Sequence, residues 1–223
     1  MALPGLVAFM NKAAAPPGGG SGLAVAGTTS GFEEEGSLTP SIPLSGTASS
    51  GDLLLVTILY DNNTADFSGT PPSGWVLEAH QANSIVGLIV LSKVAAGGET
   101  AVTVTFTGTM FSMGYTTYRI TGAHGDVDVA VNGSSTDPPN LSPAWGSAAT
   151  LWLAVVALLG EGSITANPTS YTDALTGAGH SDVVVIRSLR RLLTASSENP
   201  ATFSYSGGEL FDRVSATIAI RPS

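Results

Sequence analysis

Three histidines, 17 carboxylates and no cysteine set the outer limits of the chemistry open to this 223-residue chain. Without cysteine there is no thiolate nucleophile, no disulfide frame and no sulfur-ligated zinc. His80, His124 and His180 stand in EAHQA, TGAHGD and GAGHSD, at the ends of apolar runs or in glycine-rich turns, where an imidazole is usually just solvated. His124, Asp126 and Asp128 form the one local cluster of ligand-type side chains. An extended D-x-D puts both carboxylates on one face, but the calcium-loop spacing with its central glycine and closing glutamate is absent. G-x-S-x-G does not occur, and no serine is tied by spacing to a histidine and a carboxylate. Glycoside cleavage needs two carboxyls held about 5 to 9.5 Å apart, for which Glu78, Asp128 and Glu209 are the formal candidates. No phosphate loop, dinucleotide fingerprint or zinc-binding helix is present. The expectation is therefore a chain that is not an enzyme and takes neither metal nor cofactor.

Binding chemistry has more to work with. Trp145, in the loop PAWGS, is the best candidate for an exposed ligand contact, since an aromatic face can stack on a sugar ring. Trp75 and Tyr171 each follow a proline turn, TPPSG and NPTS, and are expected to plug equivalent ends of a core. Arg187, Arg190 and Arg191 concentrate in IRSLRRLL. On a strand Arg187 and Arg191 share a face with Leu189, and Arg190 lies on the other. They read as solvent-facing edge residues or as an assembly contact with the acidic run Glu33, Glu34 and Glu35 of another copy.

The elements that position these residues are strands. Charged residues make up only 11% of the chain, the net charge is −9, and the pI is near 4.5. An acidic surface repels a phosphate backbone, so nucleic acid is not an expected partner. The longest apolar run, Leu151 to Leu159, is far short of the roughly 20 residues of a membrane-spanning helix. From Asp52 onward, runs such as LLLVTILY, SIVGLIVLSKV, TAVTVTF, LWLAVVALL and VSATIAI are β-rich and bounded by turn formers. Val102, Val104 and Phe106 alternate with Thr103 and Thr105, the period of a strand with one wet face. LLLVTIL and LWLAVVALL are continuous, as in strands covered on both faces. Signals recur after ~96 to 100 residues: LLLVTI with LWLAVV, Trp75 with Tyr171, GLIVLSKV with DVVVIRSLRR, and Phe106 with Phe203. The reading is an all-β, antiparallel, jelly-roll-like sandwich over residues 37–223, with repeat halves near 51–122 and 149–223. Residues 1–36 read as a Pro/Gly-rich arm, with a first strand near Leu38 to Ile42. Lys12 follows the apolar stretch LPGLVAFM rather than preceding it, unlike a secretory signal.

The succession GDLLLVTI, TPPSGW, VLSKVAAGGETAVTVTF, YRITGAHGDVDVA and ATIAIRP resembles the β-sandwich domain of structural proteins of tailed bacteriophages, the tail, fibre and minor virion proteins. The resemblance covers Gly51 to Ser223 and brings no catalytic residues with it. It implies a virion component of the tail, neck or fibre, with capsid decoration or a carbohydrate-binding host-recognition module as alternatives. The expected partners are other virion proteins, further copies of the chain and a host-surface glycan. An arm that cannot fold alone can lie along a partner, which makes Leu6, Val7, Phe9 and Met10 its expected assembly contacts.

Overall fold

β-Branched and aliphatic runs punctuated by Gly, Pro, Asn and Asp fold into strands and nothing else. In the computed structural model the described residues are 22–34, 37–61, 65–108, 112–179 and 184–223, and they hold sixteen strands and no helix. In the first half, β1 (Ala24–Glu34), β3 (Leu53–Asp61), β5 (Val76–Ala82), β6 (Val86–Val94) and β9 (Ser112–Thr121) make one antiparallel sheet in the order β1-β9-β3-β6-β5. Two short pairs cover its outer face: β2 (Ser41–Pro43) with β7 (Ala101–Thr103), and β4 (Ala65–Phe67) with β8 (Phe106–Gly108). The pairs β1–β9, β2–β7 and β3–β6 nest as in a jelly roll, while β4–β8 falls outside that nesting.

The second half repeats the plan. β10 (Ala123–Asn132), β11 (Ala148–Gly160), β13 (Thr172–Gly179), β14 (Val184–Ala195) and β16 (Leu210–Pro222) form a sheet in the order β10-β16-β11-β14-β13. Its outer face carries β12 (Ser163–Ala166) paired with β15 (Ser204–Ser206), and a bridge between Leu141 and Glu198 stands where β2 pairs with β7. Trp75 and Tyr171 sit at matching points, each amide closing a turn onto the carbonyl of a proline three residues back, Pro72 and Pro168. Each ring is nearly buried, Trp75 in the outer core of the first half and Tyr171 in that of the second.

The two sheets stack face to face, burying Leu55, Val90 and Ile120 against Leu153, Ile186 and Ile218. Both sheets are therefore covered on both sides, which explains the unbroken apolar runs of β3 and β11. In the stack β1 faces β13, β5 faces β10 and β3 faces β11, the arrangement a two-fold axis between the halves would produce. On one side the sheets nearly touch. A Cβ on Gly177 would lie 2.7 Å from the Tyr115 carbonyl oxygen and closer still to that of Gly31, so glycine there permits backbone-to-backbone approach.

Two boundaries differ from the sequence reading. Residues 24–34 are not part of a free arm but the edge strand β1, paired along its length with β9, and the strand expected at Leu38 to Ile42 is reduced to Ser41–Pro43. The halves meet at Gly122, whose φ of 69° turns β9 directly into β10, so the halves begin at β1 and β10 rather than at the repeated signals of β3 and β11. The expected single two-layer sandwich also gains an outer layer on each sheet.

Candidate functional site

On the side away from the glycine contact, edge strands β5 and β10 leave an open groove of about 540 Å³. Glu78 from the first half lines it, together with Asp126, Val127, Asp128, Trp145 and Arg221 from the second. The groove thus gathers the ligand candidate Trp145, two of the three formal acid candidates and the D-x-D pair. Local irregularity aims these side chains. The β5–β6 register slips between Leu77 and Ala79, leaving Glu78 as the extra residue of a bulge. The β10–β16 register slips between Ala123 and Val127, taking His124, Gly125 and Asp126 out of the ladder. Gly125, at φ 99°, makes that bulge possible.

The polar groups are partly engaged. Arg221 Nη1 donates to Asp126 Oδ2 at 2.9 Å, and His124 Nδ1 lies 3.0 Å from the same oxygen. Asp128 Oδ1 accepts from the Val129 amide at 3.0 Å, and the Ser92 hydroxyl donates to Glu78. Trp145 is held in a turn closed by the Gly146 amide on the Pro143 carbonyl. Its indole N–H donates to Thr150 Oγ1 at 3.1 Å, and the ring packs on the outer core of the second half. The ring is therefore half-buried and fixed rather than freely exposed. Among the described residues, no group of three or more His, Asp or Glu is arranged to hold a metal ion.

The other candidates lie elsewhere. His80 lies near the end of β5, half-buried rather than simply solvated, its Nε2 2.7 Å from the Tyr60 hydroxyl. Burial lowers its basicity, against the opposing charge of Asp66. Burial likewise pushes the Tyr60 hydroxyl up to about 12. Phe67 and Phe106 pack around this pair, with Tyr60 fully enclosed, so it lines neither groove described here. Glu209 is exposed, between β15 and β16, and is not among the residues that line the groove.

The arginines do not stand on an edge, because β14 pairs on both sides, with β11 and β13. Arg187 donates to Thr176 Oγ1 at 3.1 Å and Asn167 Oδ1 at 3.3 Å, and burial lowers its pKa. Arg190 pairs with Asp173 at 2.8 Å, Arg191 with Glu198 at 2.9 Å. Each already has an acceptor in its own chain. Arg190, Arg191 and Asp173 line a smaller groove of about 270 Å³ between β1 and β13, the strands that correspond to β10 and β5. Glu33 lies on β1, where its charge adds to burial in raising the Tyr115 hydroxyl. The backbone of Glu34 pairs with Ser112. Leu6, Val7, Phe9, Met10, Glu35 and His180 lie outside the described residues. Sequence reasoning missed Arg221, which reaches Asp126 from 95 residues away with no local signal. Comparison with protein families, curated proteins and solved structures finds no match to this chain.

Proposed function

We propose that the chain is a non-enzymatic structural component of a tailed-phage particle, in the tail, neck or fibre, attached through residues 1–21. What supports this reading, beside the motif likeness expected from the sequence, is how its side chains are used. Arg187, Arg190, Arg191, Glu198 and Asp173 hold strands and covering loops in place. Tyr60 is enclosed and His80 half-buried, with Phe67 and Phe106 packed against the pair. A body built this way supplies rigidity and surface, which is what a particle component needs. With β1 inside the sheet, the segment left for attachment is the apolar LPGLVAFM and the breaker-rich AAAPPGGGSG.

The test is to purify particles assembled by the genome that encodes the chain and probe them with an antibody raised against residues 22–223. Labelling at the tail, neck or fibre is the expected result. Labelling of the head surface would favour capsid decoration, and absence from purified particles would overturn the reading.

A further inference from the structure

We propose that the groove between β5 and β10 is a binding site for a neutral or amino saccharide, with Trp145 as its stacking platform. This rests on the groove and not on the particle reading. Its volume of about 540 Å³ falls in the range of small-ligand sites. Trp145 lines the groove, and its Thr150 hydrogen bond and turn fix it before any ligand arrives, so little side-chain freedom is lost on binding. Around it stand the groups a polyhydroxylated ring needs. Carboxylates of Glu78 and Asp128 accept from hydroxyls, and Arg221, with only Nη1 committed to Asp126, has further N–H groups to donate. Bulges in both edge strands turn Glu78 and Asp126 toward the groove.

Similar bulges occur in β1, between Val25 and Gly27, and in β13, between Thr172 and Leu175, so the bulge itself belongs to the fold. The β1–β13 groove, however, is lined among the described residues by Arg190, Arg191, Asp173, Thr172 and aliphatic residues, with no aromatic ring. The combination of tryptophan and carboxylates is thus particular to one side. Three carboxylates face one guanidinium there, so uronates and other anionic sugars should be rejected while a protonated amino sugar is tolerated.

The experiment titrates the purified full chain with neutral hexose, N-acetylhexosamine, amino-sugar and uronate oligosaccharides, following tryptophan emission. Trp75 and Trp152 are 8% and 0% exposed, so a change reports Trp145. Neutral or amino oligosaccharides should shift the emission. Trp145→Ala should abolish the optical response and weaken binding, read by calorimetry, roughly tenfold or more. Asp128→Asn, which keeps the Oδ1 acceptor for Val129, should weaken binding without changing the melting temperature. No binding by any member of the panel, preference for uronates, or binding that both variants leave unchanged would each overturn the proposal.

Discussion

Four hydroxyls form a connected chain in the interface between the halves. Thr57 and Thr116 share a hydrogen bond of 2.7 Å, Ser188 donates to Thr116 at 2.9 Å, and Tyr118 meets Ser188 at 2.6 Å. All are essentially excluded from water, so each depends on the others for a partner. Because Ser188 comes from the second half and the others from the first, the chain favours one registration of the two sheets. Tyr118→Phe should cost about 1–3 kcal/mol. Tyr118→Phe combined with Ser188→Ala should fall short of the summed single losses by about 0.5–3 kcal/mol, read from denaturant unfolding.

Glu99 gives a pH signature. Burial alone would raise its carboxyl, but Lys93 at 2.9 Å and the amides of Ala96 and Gly97 outweigh burial and hold it at about 2, against an ordinary 4.5. The folded chain binds this proton less readily than the unfolded chain. The resulting stability is complete above about 4.5 and drains away as the pH falls toward about 2. Glu99→Gln should therefore flatten the loss of stability in that window, measured as denaturation midpoints across it. Residue by residue, the groove was legible only in pieces. Trp145, Glu78 and the D-x-D pair were each visible as types, but the bulges that bring them together and the distant Arg221 carry no local signal.

Among the elements, those read most readily from sequence were the ones buried on both faces. β3, β6 and β11 are dense with aliphatic residues because both sides meet a core. Both β1 and β13 escaped notice for the opposite reason. Their sequences, AVAGTTSGFEE and TDALTGAG, are small and polar because they are edge strands, and Gly177 and Gly179 of β13 are where the sheets approach. That view has a direct test. Gly177 needs no positive φ, so Gly177→Ala is disfavoured by space alone, and it should destabilise by about 1–3 kcal/mol. Gly98→Ala meets no atom within 4 Å, so its cost reflects only its φ of 92°. Thermal melts of both variants check this, and adding Tyr115→Phe to Gly177→Ala would relieve the loss only if side chains set the limit, whereas the atoms met are the backbone of Gly31 and Tyr115. The structure predicts no such rescue.

For the whole molecule, two rolled halves share an apolar seam, and the groove lies where strands of both meet. The sandwich and its displaced signals were visible in the sequence because buried strands and proline turns leave strong marks. What could not be read was that each half carries its own outer layer, since Leu141, Glu198 and the short strands β4 and β12 are too brief to leave a period. Under the proposed function, residues 22–223 fold without residues 1–21, and residues 1–21 serve for attachment. The most direct measurement mixes full-length chain and chain lacking residues 1–21 with particles assembled without either, then compares the sedimented fractions. Both chains should unfold at the same temperature, with only the full-length chain sedimenting. Equal sedimentation of the shortened chain, or failure of the full-length chain to sediment at all, would contradict the account.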